Sequence, residues 1–376
     1  MARISCVAAA RPNFMKVAPV IAALPAGSWE LVHTGQHYDE NMSDAFFRDL
    51  DIPSPDVSLG VGSGTHGEQT AGVLLAYEKH LFSTRPDAVV VVGDVNSTLG
   101  ASLAASKLNI PVAHVEAGLR SRDWTMPEEV NRVLTDRLSR WLFTPSADAD
   151  ENLAAEGIAA ERVHRVGNVM IDTLMRFLPR ARERWSRLSE ELGVLPQGFA
   201  LLTMHRPNNV DDLNALRRIL GAVEEIAQWL PVLFPVHPRT VPQLKEIGLD
   251  PDSEILVTDP LGYLDFVGLL DSAALALTDS GGIQEETSVL GVPCLTLRHN
   301  TERPITVELG TNRVVGSDPD AIVEAARQAL DGEWSPAEIP LWDGKSAERI
   351  AQVLIADLGL DQPTFRGFPE FRKAES

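Results

Sequence analysis

Cysteine is almost missing from this chain: 376 residues carry only Cys6 and Cys294. Both sit in apolar, strand-like runs, so they read as buried thiols of a reducing compartment. They give no disulfide framework, and no Cys/His cluster calls for a metal. Basic residues are scarce too, with 33 Lys and Arg against 53 Asp and Glu and a net charge of −20. A chain so acidic lacks the basic face that nucleic acid or an anionic membrane surface needs. A few local arginines can still outweigh that field at a small anionic substrate. No apolar run is long enough to span a membrane. The apolar start is too short for a signal peptide and leads into Arg11, Lys16 and a helical pattern. It reads as a first strand, and the chain as cytoplasmic. A GxxxxGK[ST] phosphate loop is also missing.

What is present is alternation. The composition is 44% hydrophobic and 23% charged, and the length suits two domains. Strands are expected at 4–9, 31–34, 88–92, 112–115 and 142–144, then at 200–203, 232–235, 255–257, 274–277 and 294–297. Amphipathic helices are expected at 14–24, 68–82, 97–108, 128–140, 169–192 and 346–358. Continuous apolar strands separated by helices imply an α/β chain with parallel sheets covered on both faces. Two Rossmann-like domains with a cleft between them follow: 1–168, joined by a C-terminal helix and tail at 346–376, and 169–345. In such sheets ligands sit beyond the carboxyl ends of the strands.

The most informative stretch is Leu277-Thr278-Asp279-Ser280-Gly281-Gly282-Ile283-Gln284-Glu285-Glu286. A buried strand, a Ser-Gly-Gly turn and a helix start make an anion site, because glycines let the backbone approach and free N–H groups face the phosphate. Glu286, one turn further, could accept hydrogen bonds from a ribose. Polar clusters follow five other strands: Arg11 and Lys16, Asp94, Glu116, His205 with Arg206, and His237 with Arg239. A single strand-end Asp or Ser is ordinarily a helix cap. Six clusters at one edge are hard to explain as caps. In Pro127-Glu128-Glu129-Val130-Asn131-Arg132, Glu128 and Arg132 share one helical face and could form an i,i+4 pair. Turned to the cleft, Glu128 becomes a third carboxylate beside Asp94 and Glu116, which suits proton transfer or hydroxyl binding. Arg303 follows Thr301-Glu302 and could reach a phosphate or the base.

The whole set resembles the non-hydrolysing UDP-N-acetylglucosamine 2-epimerases. The matching stretches are Ala10-Arg11-Pro12-Asn13-Phe14-Met15-Lys16, Thr34-Gly35-Gln36-His37, Gly93-Asp94, His114-Val115-Glu116-Ala117-Gly118-Leu119-Arg120, the Pro127 to Arg132 segment, Gly167-Asn168, His205-Arg206, Pro235-Val236-His237-Pro238, the Thr278 to Glu286 segment and Thr301-Glu302-Arg303-Pro304. The chain departs at Asn13, where many members carry Glu, and at Pro207, where many carry a second arginine. The resemblance implies the GT-B fold and a homodimer, with Ser280, Gly281, Gly282, Glu286 and Arg303 on UDP. Arg11, Lys16, Arg132 and His237 would complete substrate binding, and Asp94, Glu116, Glu128 and His205 match the proposed catalytic positions. Gln36 and His37 match an allosteric region. No cofactor is implied.

The chemistry follows from the sugar. Its C2 proton is weakly acidic and has no neighbouring ring carbonyl, so removal is coupled to loss of UDP from C1, giving 2-acetamidoglucal. UDP then adds back while a proton reaches C2 from the other face. Two faces call for more than one acid/base group. The alternatives are a hydrolysing epimerase that releases N-acetylmannosamine, a GT-B glycosyltransferase, and a silent UDP-sugar sensor.

Overall fold

The computed structural model describes residues 3–35, 50–236, 240–248, 254–332 and 337–360, apart from the Arg11 side chain. Among the described residues thirteen strands form two sheets. The first sheet holds β1 Ile4–Ala8, β2 Trp29–His33, β3 Val57–Ser58, β4 Ala88–Val92, β5 Val112–Val115, β6 Trp141–Thr144 and β7 Val163–Arg165. The second holds β8 Ala200–Thr203, β9 Val232–Pro235, β10 Ile255–Thr258, β11 Leu275–Thr278, β12 Cys294–Thr296 and β13 Asn312–Val314. Their orders are β3-β2-β1-β4-β5-β6-β7 and β10-β9-β8-β11-β12-β13. The neighbours pair in parallel. Each sheet therefore reverses its winding once, between β1 and β4 and between β8 and β11, and each reversal leaves a crevice at the strands' carboxyl ends. The fold is α/β of the expected GT-B type.

The strands form where valine, leucine and alanine run without interruption, because both faces are covered. Ala88–Val92 is buried at every position, and β4 pairs on both sides. Strands β3, β7 and β13 were not expected. Each has three residues or fewer, and β7 is not fully buried at any position, so none has the apolar run that marks the others. Both cysteines are free and buried, and burial pushes the Cys294 thiol up to about 12. Among the described residues no helix is long and apolar enough to cross a membrane.

The two sheets are tied together by two helices. The Val169–Leu192 helix starts under the first sheet, where Val169, Met170 and Phe177 join its core. Its far end places Leu188 among residues of the second sheet, including Phe199 and Leu233. The Ser346–Leu358 helix returns to the first core through Ala347, Ile350, Ala351 and Leu354. The Asp172 carboxylate accepts the first backbone N–H groups of this returning helix, from Ser346 at 3.1 Å and Ala347 at 2.6 Å. Trp141 Nε1 donates to Asp357 at its far end. Gly167 stands at the crossing, with φ +93°, and a Cβ there would lie 2.1 Å from the Leu341 carbonyl. Only glycine fits.

Ile350 is fully buried in this junction. Ile350→Ala should cost about 2–5 kcal/mol, seen as a lower denaturation midpoint. An unchanged midpoint would mean that the returning helix does not dock on the first core.

Candidate active site

The end of β1 turns directly into the Arg11–Ala23 helix. Asn13 joins that turn to β4, accepting from Ala10 N at 3.1 Å and donating to the Val92 carbonyl at 3.1 Å. One helical turn on, the Lys16 ammonium donates to Glu116 Oε2. Gly93 makes this convergence fit: a Cβ there would lie 3.2 Å from Lys16 Nζ, 3.3 Å from Glu116 Oε2 and 3.4 Å from Asn13 Nδ2. Glu116 itself has φ +74°, a conformation that costs a non-glycine residue about 1–3 kcal/mol and collects at functional sites. It is held there by the Phe143 carbonyl, which accepts from both Glu116 N and Ala117 N.

Asp94 lies beside it at the end of β4 and accepts from Arg132 Nε at 2.9 Å. Burial alone would raise its pKa, but Arg132, Lys16 and Arg303 outweigh burial and hold it below the usual carboxylate value. The Glu128–Arg132 pair that helical spacing allows does not form. Arg132 turns instead to Glu129, three residues back, at 2.5 Å. Glu129 is fixed there by the backbone N–H groups of Ser121 and Arg122 at 2.9 and 2.8 Å. Its first-turn position puts it against that loop, so it is the better-anchored anion. Glu128 is half-buried and makes no hydrogen bond or ion pair among the described residues.

The second sheet supplies the facing wall. Asp279, after β11, is fully buried and collects donors from the end of β8. They are the backbone N–H groups of His205 and Arg206, and Asn209 Nδ2, each at 3.0–3.1 Å. Its Oδ1 also meets His205 Nδ1 at 3.0 Å. Burial works against that charge, and the bonds from His205 and Arg206 still hold the Asp279 pKa low. His205 Nε2 is the ring nitrogen left for another partner, on a half-exposed side chain. Ser280 then opens the Gly281–Leu290 helix. A Cβ at Gly281 would stand 2.5 Å from Arg303 Nη1, whereas one at Gly282 would meet nothing within 4 Å. The first glycine makes room for the arginine, and the second leaves its own backbone open to approach. Glu286 is buried and accepts from the Tyr263 hydroxyl at 3.0 Å. Burial raises its pKa to about 7, with Tyr263 opposing and Glu285 adding to the rise.

Arg303 joins the two walls. Its guanidinium donates to Glu285 at 2.5 Å and Glu302 at 2.7 Å, both on its own side, and to Glu116 Oε1 of the first sheet at 2.9 Å. Arg298 braces Glu302 at 2.8 Å. Burial would raise the Glu302 pKa, yet Arg303 and Arg298 hold it far below the usual range. Glu116 is thus bracketed by Lys16 and Arg303, and the two winding reversals face each other across that carboxylate. Carboxylates and cations from both walls, with an open helix start on the second, make a site suited to proton transfer beside an anionic leaving group.

Residues 22–355 match the family model described as UDP-N-acetylglucosamine 2-epimerase. The chain belongs to that family. A UDP-N-acetylglucosamine 2-epimerase of Methanocaldococcus jannaschii is 44% identical, over 94% of this chain and 98% of the relative. A UDP-2,3-diacetamido-2,3-dideoxy-D-glucuronate 2-epimerase of Pseudomonas aeruginosa is 43% identical, over 94% and 99%. The solved structure of the Neisseria meningitidis UDP-GlcNAc 2-epimerase bound to UDP-GlcNAc superposes with a TM-score of 0.87 at 31% identity, covering 94% of this chain and all of that one.

Of the family positions expected from sequence, Lys16, Glu116 and Arg303 form one ion-paired set and Asp94 and Arg132 another, and the charges of Lys16 and Arg303 act on Asp94. His205, Ser280, Gly281, Gly282 and Glu286 lie along the facing wall. The Arg11 side chain, Gln36, His37 and His237 lie outside the described residues. Asp279 stands in a strand-end cluster singled out from sequence, but its hold on His205 was not anticipated. Gly62-Ser63-Gly64-Thr65-His66-Gly67 has GxGxxG spacing, which the sequence reading took to be absent from the chain. That run follows the two-residue edge strand β3, and Thr65 and Glu68 cap the next helix themselves. It does not form a Rossmann phosphate turn.

Glu286 gives a pH test. A carboxyl near 7 when folded and 4.5 when unfolded keeps its proton longer in the native state. The native state therefore loses stability as pH rises from about 4.5 to about 7, and the loss levels off above that. The stability of Glu286→Gln relative to wild type should grow through that window and then stay flat, measured by melting temperature against pH. A constant difference from pH 4.5 to 8 would mean that Glu286 ionises normally.

Proposed function

We propose that the protein is a non-hydrolysing UDP-N-acetylglucosamine 2-epimerase. The observation that carries this reading is the bracketing of Glu116, an acid/base candidate, by Lys16 from its own sheet and Arg303 from the facing one. In the proposed reaction the uridine diphosphate lies against the Ser280 turn and the Gly281–Leu290 helix start, with Glu286 toward the ribose. A carboxylate takes the C2 proton. The C2–H electrons form the C1=C2 bond, and the C1–O bond breaks with its electrons going to UDP. Lys16, Arg11, Arg303, His205 and the helix start stabilise that charge. UDP oxygen then rebonds to C1 while a second group protonates C2 on the opposite face. Asp94, Glu116 and Glu128 are the groups for the two faces, and Asp279 orients His205. Domains at 1–168 and 169–345, with the returning helix on the first, close around the sugar. Exclusion of water keeps the glucal and UDP together for re-addition.

Arg303 was expected on UDP. Its guanidinium is engaged by three carboxylates through one N–H on each nitrogen, which leaves two of its five N–H donors for a phosphate.

Incubation with UDP-N-acetylglucosamine in heavy water tests the reading. UDP-N-acetylmannosamine with deuterium at C2 of both sugars is expected. Free N-acetylmannosamine with UDP would make the enzyme hydrolytic, and retention of the C2 hydrogen would exclude elimination. The Pseudomonas aeruginosa relative makes its namesake diacetamido-uronate the second substrate to try; turnover of that sugar alone would move the substrate assignment. Glu116→Gln and Asp94→Asn should each lower kcat roughly 10²-fold or more, with UDP affinity by calorimetry nearly constant. Equal loss of UDP affinity would make these carboxylates nucleotide ligands instead.

A further inference from the structure

His114 lies within β5, is fully buried, and touches acceptors at both ring nitrogens. Its Nδ1 meets Asp136 Oδ1 at 2.6 Å, and its Nε2 meets the Gly93 carbonyl at 2.9 Å. A neutral imidazole donates from one nitrogen only, whereas an imidazolium donates from both. The Gly93 carbonyl cannot donate. Asp136 cannot while ionised, and although burial opposes its charge, His114 and Arg120 hold its pKa low. The geometry therefore suits a doubly protonated ring.

The charges around the ring balance. Arg120 donates to Asp136 Oδ2 at 2.7 Å and pairs outward with Glu156 at 2.7 and 2.9 Å. With the ring doubly protonated, two cations would sit between two carboxylates. An ordinary buried histidine needs no more explanation than that, but the other ends of these bonds are not ordinary places. Gly93 immediately precedes Asp94 and packs against Lys16 and Glu116. Asp136 Oδ2 also accepts from Gly118 N at 3.2 Å, two residues after the strained Glu116. Gly118 has φ +81°, and a Cβ there would lie 2.5 Å from the Ala149 carbonyl, so that turn has little freedom to reshape.

We infer that His114 and Asp136 form a buried ionic clip that fixes the turn carrying Asp94 to the turn carrying Glu116, making both of them positioning residues for the two proton-transfer carboxylates. The inference rests on the acid/base roles proposed above for Asp94 and Glu116. Both clip residues are fully buried. The imidazolium holds one turn by its carbonyl, the carboxylate holds the other by its amide, and the short bond between them sets the spacing.

Two measurements test the clip. In the wild-type enzyme labelled with ¹⁵N-histidine, His114 assigned through bonds should show both ring nitrogens protonated at about pH 7.5. A singly protonated ring would overturn the clip, and this spectrum needs no variant to fold. Asp136→Asn keeps the side chain's shape and removes its charge. It should leave a singly protonated ring, lower kcat roughly 10- to 100-fold through misplaced groups, and leave UDP affinity by calorimetry nearly unchanged. A folded Asp136→Asn with wild-type kcat, or one that loses UDP affinity in proportion, would overturn the positioning role. If the wild type fails to epimerise UDP-N-acetylglucosamine, the proposed function falls, and the ring spectrum still decides the clip.

Discussion

Charge buried between two sheets must be paired, and in this protein the pairing converges on Arg303. Removing one partner of a buried ion pair typically costs about 3–5 kcal/mol, because the other is left uncompensated. Arg303 answers Glu285 and Glu302 on its own wall and Glu116 on the facing wall. Lys16 approaches the other oxygen of Glu116, and Arg132 answers Asp94 and Glu129. In the proposed reaction Lys16 and Arg303 hold Glu116 and offer their remaining N–H donors to the diphosphate.

The topology makes this convergence available. Each sheet reverses its winding at a pair of central strands, and every acid/base candidate except Glu128 stands at the carboxyl end of a strand beside one of those reversals. The connecting helix and the returning helix hold the sheets so that these ends face each other. Local backbone strain follows: Glu116 is held at positive φ, and Gly93 and Gly281 are glycine because charged side chains occupy the space that a Cβ would need. The site is dense because it is charged.

Most of the fold was legible in the sequence. Ala88–Val92, Val112–Val115, Ala200–Thr203 and Val232–Pro235 are strands with the bounds their apolar runs suggested, since a strand covered on both faces carries its own signature. The short strands β3, β7 and β13 lack it. The strand-end residues of the site were legible for the same reason, as polar groups standing just past apolar runs. Partner choice was not. Helical spacing allowed Arg132 to pair with Glu128, and a loop placed near Glu129 decided otherwise. Asp279 stood out as a strand-end residue, and only the end of a strand 75 residues earlier in the chain, bonded through Thr203 and Thr278, reveals its hold on His205. His114 was hidden inside a strand whose neighbours are all apolar.

The central claim is that Arg303 and Glu116 act as one unit across the cleft. A double-mutant cycle on kcat/KM with Glu116→Gln, Arg303→Met and the double variant measures this most directly. The account predicts a coupling energy of about 0.5–3 kcal/mol, as for residues in contact. Single-variant losses that add within about 0.3–0.5 kcal/mol, as for independent sites, would contradict it.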